Sequence, residues 1–367
     1  MRVVVTGSDG FIARNLRVRL RELGHQDLTG ITRASTAAEF GEALADADIV
    51  FHLAGVNRPR EDAEFVHGNV DLTARLCSEL AASGRRTPIV YASSTQAALD
   101  GPYGRSKLAA EEVLLRHGRE TGAAVHVFRL TNVFGKWCRP HYNSVVATFC
   151  HQIARGLPIT VNDASSALRL VYVDDVVDAF VELLHGGPSG YLEAGPVYET
   201  TLGELVGTLK EFADSDSLMV ARVGSGFRRA LYATYLSHLP LEGFAHQVPC
   251  YGDARGIFVE MLKTPDCGQF SYFSAKPGIT RGEHYHHTKV EQFLVIQGAA
   301  RFRFRHIVSG ELHELTVGGG EGRVVFSIPG WAHDVTNVGT DDLVIMLWAS
   351  EVFDRARQDT VRAKVTP

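Results

Sequence analysis

The sequence predicts an α/β protein of two domains, in which a doubly wound parallel sheet is followed by an all-β domain. The 367 residues exceed what one ordinary hydrophobic core holds. Through the first two-thirds of the chain, short β-branched runs alternate with helical patterns, which is typical of parallel strands joined by crossover helices. After about residue 245, short strands follow one another closely with turn residues between them, as in an antiparallel sandwich or barrel.

The elements follow from these patterns in chain order. In the first domain, strands are predicted at 2–7, 27–33, 47–55, 87–94 and 123–135, and helices at 13–24, 62–83 and 104–121. In the second domain, strands are predicted at 256–264, 269–276, 290–298, 300–308, 324–330 and 342–350. Residues 239–253 carry prolines and glycines and little periodicity, so we place the boundary there and expect domains over 1–245 and 250–367.

Composition and charge exclude several classes of function. The net charge is −5 with acids and bases interspersed, which argues against a general nucleic-acid or membrane surface. No apolar run approaches the ~20 residues that span a bilayer, and the first residues run directly into a strand without a cleavable signal. The five cysteines form no CxxC pair or regular framework. We therefore expect a cytoplasmic protein with free thiols, no nucleic-acid partner and no membrane insertion.

The segment "TGSDGFIA" predicts a dinucleotide site. Gly7, Gly10 and Ala13 follow a strand and open a helix, where small residues let the backbone turn tightly and approach a pyrophosphate. The second strand ends near Arg33, and "ITRAST" offers no acid that would bind the ribose of NAD. An arginine suits the 2′-phosphate of NADP, so the predicted cofactor is NADPH.

The segment "YGRSK" places Tyr103 and Lys107 one helical turn apart. A nearby ammonium favours the ionised phenol, which can then act as a general acid or base during hydride transfer. The spacing alone is common on helix surfaces. Here it follows the strand "VYASS", which delivers Ser93 and Ser94 to the carboxyl edge of the sheet, where ligands bind. The conjunction predicts a reductase site.

A histidine cluster in the second domain predicts a metal site. His284 and His286 occupy alternate positions of a strand, and Glu291 and His333 lie further along the chain. Three imidazoles and one carboxylate suit Zn²⁺, Fe²⁺ or a similar ion. The alternative is a chance cluster on a solvated strand. The regularly placed glycines around the cluster and the distant His333 favour the metal.

Residues 1–245 resemble the extended short-chain dehydrogenase/reductases that act on nucleotide sugars, through "TGSDGFIA", "FHLAG", "GNVDLT", "YASS", "YGRSK", "RLTNVFG" and "RLVYVDD". The usual third glycine is replaced by Ala13. The resemblance implies that Ser94 polarises the substrate, Tyr103 is the acid/base and Lys107 its partner. It implies further a cofactor site of Gly7, Gly10, Phe11, Ile12, Arg33, Leu53, Ala54, Gly55, Tyr103 and Lys107. Substrate contacts would come from Ser94, Asn132 and Arg169.

The histidine spacing resembles the two motifs of the cupins, which are jelly-roll barrels. The first motif matches at every position. In the second, Pro329 directly precedes Gly330 instead of lying two residues before it, so we expect a shifted loop with intact ligands.

The chain as a whole resembles bifunctional enzymes of capsular polysaccharide and O-antigen biosynthesis. That resemblance implies a homodimer with zinc in the cupin, acting on a UDP-sugar. The cupin would epimerise C3 of a UDP-2-acetamido-2,6-dideoxy-4-hexulose. The reductase would then reduce C4 with NADPH to UDP-N-acetyl-L-talosamine, on the route to UDP-N-acetyl-L-fucosamine. His287 and Lys289, beside the ligands, are the candidate epimerase bases.

Three other interpretations stay open at this point. The cupin could be a binding and dimerisation module, so that only the reductase turns over. The first domain could be a cofactor-sensing scaffold without catalysis, which an intact Ser94, Tyr103 and Lys107 disfavours. A metal-dependent oxygenase is the third, and nothing in the first domain requires oxygen chemistry.

Overall fold

The structure is a computed structural model that describes residues 1–214, 223–248, 250–253, 256–259, 268–351, 356 and 358–366. Residues 260–264 of the predicted strand 256–264, and Cys267, lie outside the described residues. Among the described helices, none is both long and apolar enough to cross a bilayer.

Strands and helices alternate through the first two-thirds of the chain, and strands follow one another after that. The first set, in chain order, is β1 (Val3–Thr6), α1 (Phe11–Glu22), β2 (Leu28–Ile31), α2 (Ala37–Ala45), β3 (Ile49–His52), α3 (Ala63–Phe65), α4 (Leu72–Ala82), β4 (Ile89–Ser94), α5 (Pro102–Thr121), β5 (Val125–Leu130), β6 (Asn132–Phe134), α6 (Val145–Ile153), β7 (Ala167–Tyr172), α7 (Val173–Glu182), β8 (Gly190–Leu192), β9 (Val197–Thr201), α8 (Leu202–Asp214) and α9 (Gly226–Ser237). Strands then follow as β10 (Ala245–Gln247), β11 (Cys250–Asp253), β12 (Gly256–Val259), β13 (Gln269–Ala275), β14 (Thr280–Tyr285), β15 (Glu291–Gln297), β16 (Ala299–His306), β17 (Leu312–Gly318), β18 (Arg323–Ser327), β19 (Trp331–Asn337), β20 (Leu343–Ala349) and β21 (Val361–Arg362).

Residues 1–134 and 168–199 form one compact unit. Its six-stranded sheet has the order β2-β1-β3-β4-β5-β8, and every pairing is parallel. On one face, β1, β3 and β4 share a buried apolar core with α2, α4 and α5. On the other face, Phe180 of α7 packs on Phe51 and Phe128. The predicted doubly wound sheet is confirmed, and its strands end at one carboxyl edge.

Two predicted elements of this unit are divided in the structure. The predicted helix 62–83 is interrupted by a π-helical segment, Val66–Asp71, between α3 and α4. Within it, a Cβ atom on Gly68 would lie 2.3 Å from Cγ2 of Val56, and Asn69 hydrogen-bonds both backbone groups of Val56. The change of helical pitch thus lies where the helix contacts this loop. The predicted strand 123–135 is divided into β5 and β6, which belong to different sheets.

Residues 135–167 and 200–367 form the second compact unit. Helices α6, α8 and α9 contact one another. Two five-stranded sheets have the orders β10-β18-β15-β20-β13 and β17-β16-β19-β14-β21, and neighbouring strands in both run antiparallel. Phe293 of the first sheet packs on Phe302 of the second, with ring centroids 5.7 Å apart. The predicted all-β fold is confirmed.

Trp137 packs against the pair of five-stranded sheets of this second unit, which is called the barrel below. Its φ of 68° is left-handed, which is unusual for a bulky residue. Its ring lies against Gly330, where a Cβ atom would be 2.9 Å from Cζ2 of Trp137, and its centroid is 5.9 Å from that of His306. The segment 135–167 is therefore packed directly on the barrel.

Residues within the predicted boundary region, 239–253, also pack on the barrel. Strand β10 pairs with β18. The ring centroid of Phe244 lies 5.5 Å from that of Phe304 and 5.1 Å from that of Trp331. The predicted limits 1–245 and 250–367 stay a prediction, but a cut there would divide a compact unit.

Candidate active site and metal centre

The glycine turn joins β1 to α1 and approaches the segment after β3. Gly7 has a φ of +64°, and a Cβ atom there would lie 2.7 Å from Cα of Ala54, so only glycine fits. The N–H of Gly10 donates to the carbonyl oxygen of Gly7 at 2.8 Å, and α1 begins at the next residue. Phe11 and Ile12 thus form the first turn of a helix whose free N–H groups attract an anion.

The predicted cofactor residues Leu53, Ala54 and Gly55 lie between this turn and helix α5. The N–H of Ala54 donates to Oγ1 of Thr6 at 3.2 Å. A Cβ atom on Gly55 would lie 3.5 Å from Nζ of Lys107, so the absence of a side chain leaves room beside the lysine. The structure therefore brings the predicted cofactor segment, the glycine turn and the predicted catalytic lysine together.

Helix α5 carries the predicted catalytic pair. The ammonium of Lys107 donates to the carbonyl oxygen of Ala92 at 2.8 Å and to the hydroxyl of Tyr91 at 3.2 Å. Burial lowers the pKa of Lys107 to about 8. Burial raises the pKa of Tyr103, and a hydrogen bond with Ser94 opposes that rise. A phenol, an ammonium and a hydroxyl thus share one site, an arrangement that can transfer a proton to a carbonyl oxygen.

Sequence reasoning missed a buried carboxylate beside this site. Glu111 lies one helical turn beyond Lys107 and is fully buried. It accepts hydrogen bonds from the hydroxyls of Ser93 at 2.5 Å and Tyr191 at 2.9 Å. The guanidinium of Arg129 donates to both of its oxygens, with the shortest distance 2.7 Å. The i, i+4 spacing from Lys107 is the signal that could have found it.

A buried histidine supports the same edge of the sheet. The two ring nitrogens of His52 form hydrogen bonds with Oγ1 of Thr6 at 2.8 Å and Oγ1 of Thr73 at 2.9 Å. Its ring stacks on Tyr91 at a centroid distance of 5.4 Å. Burial, together with the charge of Lys107, lowers the pKa of His52 to about 3, so the ring is neutral at pH 7. His52 therefore links β3 to β4, whose Tyr91 contacts the predicted catalytic lysine, without adding charge.

The predicted substrate residues lie on neighbouring strands. Asn132 of β6 pairs with Leu170 of β7, and Oγ1 of Thr131 donates to the carbonyl oxygen of Arg169 at 2.7 Å. The side chains of Asn132 and Arg169 are exposed, as is Arg33 just after β2. The structure thus brings Asn132 and Arg169 together. Their contact with a sugar nucleotide, and that of Arg33 with a 2′-phosphate, stay predictions.

The four predicted metal ligands lie together in the second unit. The potential donor atoms of His284, His286, Glu291 and His333 all lie within 4.8 Å of one another. In chain order, the Nε2 atoms of the three histidines are 3.9, 3.1 and 3.4 Å from one oxygen of Glu291. His284 is partly exposed, and the other three are buried. The predicted set is thus one cluster at which a single ion can be held.

Strand pairing explains how distant residues meet there. His284 of β14 pairs with His333 of β19, and a β-bulge directly precedes His284. The N–H of Gly330 donates to the carbonyl oxygen of His286 at 2.9 Å, which ties the two predicted motifs together. Despite the shifted position of Pro329, His333 therefore reaches the other ligands, as expected from the sequence.

The charges in the cluster match those of metal ligands. Burial alone would raise the pKa of Glu291, but hydrogen bonds from the three histidines hold that pKa well below its ordinary value. Burial lowers the pKa of His333 to about 4. An ionised carboxylate and a neutral imidazole are the forms that bind a metal. The cluster therefore fits a divalent ion such as Zn²⁺ by its donor types and protonation.

The two predicted epimerase bases differ in their position relative to the ligands. Lys289 is buried, with Nζ 3.5 Å from Oε1 of Glu291 and donating to Oγ1 of Thr360 at 3.2 Å. His287 is partly exposed, and its ring contacts that of Tyr285 at a centroid distance of 5.4 Å. The structure brings Lys289 into direct contact with a predicted ligand.

Comparison with known proteins assigns the family. A profile of the NAD dependent epimerase/dehydratase family matches residues 3–191. The chain is also 52% identical over 368 residues to UDP-2-acetamido-2,6-beta-L-arabino-hexul-4-ose reductase of Pseudomonas aeruginosa, covering 100% of this chain and 99% of the relative. The chain belongs to the NAD dependent epimerase/dehydratase family. Membership in that family implies a nicotinamide dinucleotide cofactor for the first unit.

The second part of the chain matches the Polysaccharide biosynthesis C-terminal domain over residues 251–361. Among solved structures, CapF of Staphylococcus aureus is 41% identical with a TM-score of 0.69, and the match covers 100% of both chains. CapF in complex with 3-isopropenyl-tropolone is 37% identical with a TM-score of 0.64, again over 100% of both chains. The predicted resemblance to the capsular polysaccharide protein CapF is confirmed.

Proposed function

We propose that the chain is a bifunctional nucleotide-sugar enzyme. Its first domain reduces the C4 ketone of a UDP-2-acetamido-2,6-dideoxy-4-hexulose with NADPH, and its cupin epimerises C3 of the same sugar. The observation that carries the reductase is the group Ser94, Tyr103 and Lys107 beside the glycine turn. A full-length relative that reduces a UDP-hexul-4-ose supports the substrate class. The product is UDP-N-acetyl-L-talosamine, on the route to UDP-N-acetyl-L-fucosamine for capsule or O-antigen.

The residues of the reductase site have separate parts in this reaction. NADPH, when bound, supplies the hydride to C4. The hydroxyl of Ser94 donates a hydrogen bond to the C4 carbonyl oxygen and orients it toward Tyr103. The phenol of Tyr103 gives its proton to that oxygen as negative charge develops there. The buried ammonium of Lys107 stabilises the phenolate that remains, and Arg33 accounts for the preference for NADPH by pairing with the 2′-phosphate.

The metal centre supports an epimerase in the second unit. A proton next to a ketone is removed more easily when positive charge lies beside the carbonyl oxygen, because the carbanion delocalises as an enolate. A Zn²⁺ or other divalent ion held by His284, His286, Glu291 and His333 would supply that charge. Lys289 is favoured over His287 as the base, because its Nζ lies 3.5 Å from Oε1 of Glu291. The inhibitor of CapF, a tropolone, carries adjacent oxygens that can chelate a metal.

A second candidate is a reductase whose cupin serves only for binding and dimerisation. Four protein ligands complete a tetrahedral shell, which is usual for structural zinc, whereas catalytic zinc commonly keeps one position open. Both candidates include a homodimer in the cytoplasm. The buried cysteines Cys77, Cys138 and Cys150, which form no disulfide, suit that compartment.

Proton exchange separates these two candidates. The full-length Tyr103→Phe variant is incubated with the UDP-4-ketosugar in D₂O without NADPH, and deuterium at C3 is followed by NMR. The full chain is used because residues 135–167 and 200–248 pack with the barrel. We expect exchange in this variant and its loss after further substitution of His284 and His286 by alanine. If the folded, metal-loaded protein exchanges no C3 proton, the second candidate is favoured, in which the cupin serves only for binding and dimerisation.

The product test uses the wild-type enzyme with NADPH. NMR of the reduced sugar should show inverted configuration at C3 and a hydroxyl at C4. Reduction without inversion at C3 would remove the epimerase from the proposal and retain the reductase.

A further inference from the structure

The chain between two metal ligands, His286 and Glu291, is held by a single carboxylate. The backbone N–H groups of His287, Thr288 and Lys289 donate to Asp359 at 2.8, 2.7 and 2.6 Å, the first to Oδ1 and the others to Oδ2. The hydroxyl of Thr288 donates to the same Oδ2 at 2.9 Å. Successive N–H groups that converge on one anion form a nest, which fixes the backbone around it.

The main chain of Asp359 contacts a metal ligand directly. Its carbonyl oxygen accepts a hydrogen bond from Nδ1 of His286. Since a carbonyl oxygen can only accept, Nδ1 carries a proton, so Nε2 is the nitrogen of His286 that is left to bind a metal ion. That nitrogen lies 3.1 Å from Oε2 of Glu291, within the ligand cluster. Contacts of this kind set the tautomer and ring orientation of metal-binding histidines.

The residues after Asp359 run along the ligand strand. Val361 and Arg362 of β21 pair with Tyr285 and His284 of β14. Arg229 of α9 also donates to Oγ1 of Thr288 at 2.8 Å. The loop 287–289 is therefore held by Arg229 and by the four hydrogen bonds that the carboxylate of Asp359 accepts.

We infer that Asp359 is a positioning residue of the metal centre, which sets the ring of His286 and the spacing between His286 and Glu291. Asp359 is not one of the donors in the four-residue cluster found among the described residues. It acts through the loop and through the histidine that it orients. The inference rests on the proposed metal site. It adds to that site Asp359 and the loop 287–289 that Asp359 holds in place. Asp359 also positions Lys289, the proposed base, because its carboxylate accepts a hydrogen bond from the backbone N–H of Lys289.

The test compares metal affinity with the stability of the metal-free protein. Full-length wild type and Asp359→Asn are stripped of metal, and the Kd for Zn²⁺ is measured by competition with a chromophoric chelator. Asparagine has the size of aspartate, but its amide NH₂ group cannot accept a hydrogen bond from the backbone N–H groups of the loop. Loss of groups that orient metal ligands weakens metal binding by roughly 10–100-fold, and we expect a change in this range with little change in Tm of the metal-free protein. Asp342→Asn is the control, because Asp342 forms an ion pair with the exposed Lys276 on the surface.

The outcomes distinguish the inference from the proposed metal site. A wild type that binds no Zn²⁺ refutes the metal site itself. A wild type that binds Zn²⁺ and an Asp359→Asn protein within about threefold of it overturns the inference. If Asp359→Asn does not fold, Thr288→Val replaces it, since it removes the hydroxyl that donates to Asp359 and accepts from Arg229 and leaves the backbone unchanged. About fivefold weaker Zn²⁺ binding is then expected, which corresponds to one ordinary hydrogen bond, and unchanged affinity overturns the inference.

Discussion

Replacing Glu111 by glutamine should move the pH dependence of the reductase. Glu111 is fully buried one turn beyond Lys107, and its charge holds the pKa of Lys107 up against burial, which lowers it to about 8. Without that charge the ammonium loses its proton more readily. The alkaline limb of kcat/KM against pH, which reports the free enzyme, should therefore move to lower pH.

The size of the shift follows from the distance and the neighbouring charge. Residues four apart on a helix are separated by about 6 Å, where unit charges interact by about 0.7 kcal/mol in water and about 2.8 kcal/mol at an effective dielectric of 20. These values correspond to shifts of about 0.5 and 2 pKa units. Arg129 donates to both oxygens of Glu111 and offsets much of its field. We therefore expect a shift near the lower value, about 0.5–1 unit.

The assay is NADPH oxidation with the UDP-4-ketosugar at pH 6 to 10, which spans that limb. Glu112→Gln is the matched control, because Glu112 is the next residue of the same helix and is exposed. An alkaline limb that stays in place in a folded Glu111→Gln enzyme would refute the electrostatic link between Glu111 and Lys107. A limb that moves equally in Glu112→Gln would show a general charge effect instead.

Three further predictions concern the predicted site residues. Tyr103→Phe should reduce turnover of NADPH by roughly 10²–10⁴-fold, because the proton donor to the C4 oxygen is lost while the ring still packs; near wild-type NADPH oxidation would exclude Tyr103 as the acid. Arg33→Ala should weaken the preference for NADPH over NADH in kcat/KM by roughly tenfold or more, the contribution of a charged hydrogen bond, and a wild type without that preference would contradict the assignment. In tag-free protein, His284→Ala/His286→Ala should remove the bound metal in elemental analysis, whereas unchanged metal content would mean that the ligands lie elsewhere.

Local sequence patterns were sufficient to find residues of the predicted reductase site that the fold brings together. The glycine turn and the Tyr103–Lys107 spacing depend on neighbouring residues, and the structure places both at the same edge of the sheet. The break in the predicted helix 62–83 was not predicted, because it lies where Gly68 approaches a loop residue, Val56, and only the fold shows that approach. The i, i+4 spacing from Lys107 could have found Glu111, but only the fold shows that Arg129 and Tyr191 hydrogen-bond to it.

The cluster of the four predicted metal ligands could be found from the sequence, because their spacing is set by two strands and the turns beside them. Asp359 was not, because nothing in its local sequence shows that a residue so far downstream accepts the N–H groups of residues 287–289. Backbone N–H groups are present in every residue type except proline, so the residue types of a loop do not show which of its N–H groups are used. Contacts of this class become visible only when the strands are assembled.

The alternation of the chain between the two compact units has a consequence for recombination among homologous genes. The chain passes from one unit to the other after residues 134, 167 and 199. A hybrid gene with a single crossover near residue 245 would take the barrel from one parent. The segments that pack on that barrel would come from the other parent. Trp137 would then face a foreign residue in place of Gly330, where a Cβ atom would lie 2.9 Å from its ring. Hybrids that exchange residues 135–167 and 200–244 together with the barrel keep these partners matched, so they should fold more often than single-crossover hybrids.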